Sequence, residues 1–146
     1  MRTYTTHSKE ETRALGKELA LGFRPASLIT FSGELGAGKT TLIQGILEGL
    51  GAPMPYPSPT FVLMNEYILP QATKTGIARI YHADAYRVGA ADFEKLGFTE
   101  WCTDPTGIVL LEWPERLAEI LPETRIDITL RTLSEIEREI SITTIE

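Results

Sequence analysis

Residues Gly33-Glu34-Leu35-Gly36-Ala37-Gly38-Lys39-Thr40 carry the spacing G-x-x-x-x-G-K-[ST]. That spacing suits phosphate chemistry. Glycines let a backbone approach a ligand with no Cβ in the way. Successive N–H groups, together with the positive end of a following helix, surround an anion. Lys39 would bring a mobile positive charge to terminal phosphates, and the Thr40 hydroxyl is placed to hold Mg²⁺. Chance alone, at this chain's own Gly, Lys and Ser/Thr frequencies, produces the pattern in roughly one such sequence in 200. The bland alternative is a glycine-rich turn with an exposed lysine.

A phosphate loop binds nucleotide, but hydrolysis also needs a metal partner and a group that orients water. Two segments supply candidates. Val109-Leu110-Leu111-Glu112-Trp113 is an apolar strand pattern ending in a carboxylate, the shape of a Walker B element. An acid at the carboxyl end of a core strand sits beside the phosphate loop and can hold Mg²⁺ directly or through water. His82-Ala83-Asp84-Ala85-Tyr86-Arg87 follows a second strand and is dense in polar and aromatic side chains. Asp84 can serve the attacking water or the metal. His82 and Arg87 read equally well as structural partners of acidic neighbours. Ser58-Pro59-Thr60-Phe61 closes a proline-stiffened stretch. It is either a nucleotide-sensing switch or a rigid turn with Thr60 capping backbone groups. Trp113 either packs at a sheet edge or belongs to a partner surface.

The elements that must position these residues are legible in part. Ser27–Phe31 reads as a buried strand just before the loop. Leu42, Ile43, Ile46, Leu47 and Leu50 recur at helical spacing after it, and Gly49 and Gly51 end that pattern. Residues 9–22 predict an amphipathic helix with Ser8 as N-cap and Glu11 completing a capping box. Pro53, Pro55, Pro57 and Pro59 force an extended loop. Phe61–Ile68 and Gly76–His82 read as strands, Ala90–Gly97 as a short helix, and Gly107–Leu111 as a buried strand. Pro114–Ile120 reads as a short helix with proline in its first position. Alternation in Arg125–Leu130 and Glu137–Ile145 predicts a closing strand pair. The expected fold class is α/β: a P-loop NTPase-like mixed β-sheet flanked by helices, with antiparallel strand pairs at the edges.

Composition narrows the function. At 146 residues the chain is expected to form a single domain, 1–146, with a real core. Its net charge of -6 argues against gripping nucleic acid alone, because phosphate neutralisation needs a basic surface. One cysteine, Cys102, excludes an internal disulfide, and two histidines make a zinc site an unfavoured reading. The polar stretch Met1–Arg13 has no apolar h-region and no segment approaches a membrane-spanning length, so the expected compartment is the cytoplasm.

Taken together, the phosphate loop with Thr41, then S-P-T-F at 58–61, H-A-D-A-Y-R at 82–87 and L-E-W-P-E-R at 111–116, resemble the bacterial TsaE (YjeE) family over essentially the whole chain. The loop is shared by very many proteins; the other three segments are far more specific. The resemblance implies an ATPase required for the threonylcarbamoyl modification of adenosine in tRNAs that read codons beginning with A, working with TsaB and TsaD. It implies that Gly33, Leu35, Gly36, Ala37, Gly38, Lys39, Thr40 and Thr41 bind ATP or ADP, and that Thr40 and Glu112 hold Mg²⁺. By the same resemblance Asp84, Glu112 and Lys39 carry catalysis, and Arg138 matches a family arginine near the nucleotide. Ala85 departs from the larger apolar residue usual there, which bears on packing. Two other classes share the loop. A small-molecule or nucleoside kinase passes phosphate to an acceptor, although between Gly89 and Pro122 the only arginine is Arg116, too few for an arginine-rich lid. A nucleotide-sensing adaptor binds without turnover.

Overall fold

Apolar runs become inner strands here, and polar alternating ones become edges. The computed structural model describes residues 1–146. Its strands are β1 (Arg2–Thr6), β2 (Ser27–Ser32), β3 (Met64–Ile68), β4 (Arg79–Asp84), β5 (Gly107–Glu112), β6 (Arg125–Thr132) and β7 (Arg138–Ile145). Its helices are α1 (Lys9–Ala20), α2 (Lys39–Leu50), α3 (Ala90–Leu96) and α4 (Phe98–Cys102), and Pro114–Leu117 forms a 3₁₀ turn. All seven strands join one sheet in the order β1-β7-β6-β2-β5-β4-β3. The inner four, β6-β2-β5-β4, run parallel. The edge pairs β6/β7, β7/β1 and β3/β4 are antiparallel. The expected α/β class with antiparallel edges is therefore the observed one.

Alternation along β4 and β5 divides the core. Ile80, Ile108 and Leu110 face α1 and α2, in a cluster with Ile29, Phe31, Leu42 and Ile46. Tyr81, Ala83, Val109 and Leu111 face the other way, onto Phe93, Phe98, Trp101 and Leu117. Because side chains alternate with period 2, His82, Asp84 and Glu112 continue the first of these faces. They thus emerge beneath the start of α2.

Several boundaries differ from the sequence expectation. Residues 61–63 do not extend β3: Leu63 has φ 70°, donates its N–H to Pro59 O and accepts from Asp84 N, and this tight turn leaves Phe61 and Val62 exposed. The second strand runs to Asp84, two residues beyond its expected end, while Gly76 makes a turn at φ 102°. Glycine 49 does not end α2. It lies inside the helix, where an added Cβ would come within 2.7 Å of Lys17 O. Gly51 is the true C-cap. A Cβ on Gly45 would run into the Arg13 carbonyl, so small residues here let α1 and α2 pack backbone to backbone. The capping box is also shifted: Ser8 Oγ accepts from Glu11 N at 3.1 Å, but Glu11 Oε1 reaches back to His7 N. Strand β1 and helix α4 carry no counterpart in the sequence reading.

Candidate functional site

The loop between β2 and α2 is built on left-handed backbone. Gly33, Gly36 and Gly38 have φ of 150°, 79° and 96°. A Cβ at Gly33 would press on Leu130 O at 2.7 Å, so both φ and space demand glycine there. Gly38 is the N-cap of α2 and offers no side-chain cap, which leaves the first-turn amides without an intrahelical partner. Those amides are the donors that suit an anion. One loop amide is already used: Ala37 N donates to Glu34 O at 3.1 Å.

Lys39 is only 6% exposed. Its Nζ donates to Gly33 O at 2.5 Å and lies 3.8 Å from the centre of the Trp113 ring. Burial pulls its pKa below the usual 10.5; Glu112, then Glu115 and Asp84, work against that by favouring the charged form. The parallel register pairs Asp84 with Glu112 directly across β4 and β5. Both are buried, at 3% and 7% exposure. Two acids and one lysine thus share the carboxyl ends of the central strands, the usual place for a ligand in an open α/β sheet.

Each carboxylate is held differently. Asp84 Oδ2 accepts from Thr60 Oγ1 at 2.9 Å and Oδ1 from Tyr86 N at 2.8 Å. Thr60 in turn meets Ser58 Oγ at 2.8 Å, so the proline-rich loop is tied to Asp84. Glu112 Oε2 lies 2.9 Å from His82 Nε2. Arg138 reaches the phosphate loop from the β6–β7 hairpin: Nη2 donates to Gly36 O at 3.1 Å, and Nη1 to Ser134 O at 2.8 Å and Glu137 O at 2.9 Å. Its Nε is buried without a partner.

These groups line a cleft of about 560 Å³. Gly36, Gly38, Lys39, Thr40, Thr41, Asp84, Glu112 and Arg138 all face it, so the structure gathers most of the sequence-predicted residues in one place. Gly33 and Ala37 shape the loop from outside that lining. The cleft continues past the phosphate loop between the start of α1, from His7 to Thr12, and the hairpin residues Glu135 and Ile136. Its size is within the range of small-ligand sites, ~300–1,000 Å³. No three His, Cys, Asp or Glu side chains converge into a metal cluster. A Mg²⁺ held by one hydroxyl, one carboxylate, phosphates and water does not require one, so Thr40 and Glu112 fit that cation.

A family model described as "Threonylcarbamoyl adenosine biosynthesis protein TsaE" matches residues 6–140. The chain belongs to the TsaE family. A Bacillus subtilis protein named tRNA threonylcarbamoyladenosine biosynthesis protein TsaE is 37% identical over 142 residues, covering 97% of this chain and 85% of the relative. A Treponema pallidum protein of the same name is 35% identical over 138 residues, covering 94% and 96%. The crystal structure of B. subtilis YdiB superposes with a TM-score of 0.79 at 33% identity, over 99% of this chain and 86% of that one.

Within this TsaE-family site, sequence reasoning missed three contacts. Trp113 has φ 60°, a left-handed conformation uncommon for a bulky residue, and this turn carries its ring to Lys39. Tyr86 supports the same ring at 4.8 Å. The adjacency Glu112-Trp113-Pro114 was the available signal, since the strand must turn sharply before the proline. Thr60, read as part of either a nucleotide-sensing switch or a rigid turn that caps backbone groups, donates to the side chain of Asp84. His82 was not missed: read as a structural partner of an acidic neighbour, it meets Glu112. Arg87, by contrast, turns away and lies 5.3 Å over the Phe61 ring. Ala85, the departure from the family pattern, is fully buried against the second core cluster, with its N–H on Glu112 O at 3.1 Å. No helix is long and apolar enough to cross a membrane.

Proposed function

We propose that this chain binds ATP with Mg²⁺ and hydrolyses it in the service of threonylcarbamoyl modification of tRNA adenosine, acting with a TsaB–TsaD type pair in the cytoplasm. One observation carries the ATPase part: a buried lysine stands between a glycine-rich loop and two buried carboxylates paired across parallel strands. The names of the relatives support the tRNA part. In this reading the first-turn amides of α2 and Lys39 hold the β- and γ-phosphates. Thr40 and Glu112 hold the cation. Bound Mg²⁺ would neutralise charge on the phosphate oxygens as the terminal group departs. Asp84, fixed by Thr60 and the Tyr86 amide, orients the attacking water. Arg138 shields the outer side of the loop. The acidic chain reaches tRNA through its protein partners and not by its own surface.

The fate of the terminal phosphate tests this. ATP labelled at the γ-position should release free, Mg²⁺-dependent phosphate. Label on an acceptor would favour the kinase reading, and binding without release the adaptor reading.

A further inference from the structure

The two carboxylates of the site are not equivalent. Asp84 has a hydrogen bond on each oxygen. Glu112 has one, on Oε2, from a histidine whose side chain is 6% exposed. A carboxylate oxygen only accepts, so His82 Nε2 is the donor. The ring has no second anchor: Nδ1 is buried without a partner. His82 stands on the same sheet face as Glu112, opposite Leu110 in the register, one pleat back from the Asp84–Glu112 pair. A small cavity of about 10 Å³ is lined by His82, Glu112 and Thr40 together, so the histidine reaches the same spot as both proposed cation ligands.

We propose that His82 is the positioning residue for Glu112. Its N–H holds Oε2 and fixes the carboxyl plane, which leaves Oε1 to take the cation beside Thr40. Asp84, bonded through both oxygens, is thereby assigned to water and not to metal. This rests on the ATP and Mg²⁺ reading above. A histidine that served the fold alone would affect stability but would not change how strongly Mg²⁺ and nucleotide assist each other.

The test compares wild type, His82→Gln and His82→Asn. A glutamine amide N–H reaches about as far as Nε2; an asparagine amide stops short of it. Affinity for a non-hydrolysable ATP analogue is measured by calorimetry across a Mg²⁺ titration and in its absence. His82→Asn should need about 10–100-fold more Mg²⁺, the usual effect of losing a partner behind a metal ligand. Its Mg²⁺-free affinity should stay at the wild-type value, and His82→Gln should recover most of the Mg²⁺ response. Equal Mg²⁺ responses in all three proteins, or equal losses in both variants, would overturn the proposal. Wild-type protein without any Mg²⁺-assisted binding would instead defeat the ATPase reading. A second arm leaves His82 in place. The ring N–H proton signal of His82, distinguished from His7 by His7→Gln, should shift when Mg²⁺ is added to the nucleotide complex. A signal indifferent to Mg²⁺ would also overturn the proposal.

Discussion

Replacing Lys39 by alanine should weaken ATP binding by about 10–100-fold. Hydrogen bonds to charged groups contribute ~1.5–3 kcal/mol, and ~1.4 kcal/mol is a factor of ten. Geometry places the effect at the upper end. Nζ is buried and lies among Glu112, Glu115 and Asp84, so its removal leaves two buried acids facing an incoming polyphosphate, with Arg138 tied to backbone carbonyls. Lys39→Met separates charge from packing, because it keeps most of the stem; it should lose about as much affinity as alanine. The pH dependence follows from the same environment. Burial lowers the Lys39 pKa from 10.5, so the folded chain releases this proton before the unfolded chain does. The cost of burying the charged form is present below the lowered pKa and is relieved as pH rises towards 10.5. Phosphate favours the charged form, so between those two values ATP affinity should fall with rising pH and binding should take up a proton. Calorimetry in buffers of different ionisation enthalpy measures both. A dissociation constant for either variant within threefold of wild type would refute the assignment of Lys39 to the phosphates.

Glu112→Ala and Asp84→Ala should abolish Mg²⁺-dependent hydrolysis while keeping much of the nucleotide binding, because the loop amides remain; wild-type turnover in both, in a phosphate-release assay, would make these acids structural. Trp113 should report nucleotide, since Lys39 lies 3.8 Å from its ring centre and must leave Gly33 O to meet a phosphate. The reading uses Trp101→Phe, which leaves Trp113 as the only tryptophan; flat fluorescence at saturating Mg²⁺–ATP would remove the ring from the site. Gly45→Ala should destabilise the fold by ~1–3 kcal/mol in urea unfolding, the usual cost of overpacking, because its Cβ meets the Arg13 carbonyl. A midpoint unchanged from wild type would show that α1 and α2 can separate freely.

What was legible depended on how locally each feature is encoded. The phosphate loop, β2 and β5 are local: glycine spacing and continuous apolar runs specify them without knowledge of neighbours. The pairing of Asp84 with Glu112 was only half visible, because each ends a strand but the register that aligns them belongs to the sheet. Strand β1 was hidden because Arg-Thr-Tyr-Thr-Thr is polar and gains strand character only by pairing with β7 at the sheet edge. Phe61–Leu63 carries β-favouring residues yet turns, since Leu63 N and O are taken by Pro59 and Asp84. Gly49 looked like a stop signal because a glycine that ends a helix and one that admits a neighbouring backbone are identical in sequence. His82 to Glu112, separated by 30 residues, is a contact that only the folded sheet defines.

The central claim is that ATP turnover at this site drives tRNA modification through protein partners. No arginine stands free over the cleft, since Arg138 is bound to backbone carbonyls, and a supplied arginine can be worth ~10³–10⁵ in rate in related chemistry. The most direct measurement follows threonylcarbamoyl adenosine formation and phosphate release together, under multiple-turnover conditions, in a mixture of TsaB, TsaD, tRNA and the remaining substrates. The mixture is run without this chain, with it, and with its Glu112→Ala variant. Sustained modification and accelerated phosphate release with the wild-type chain alone is the predicted result. Equal modification in all three mixtures, with ATP turnover no faster than that of the isolated chain, would contradict it.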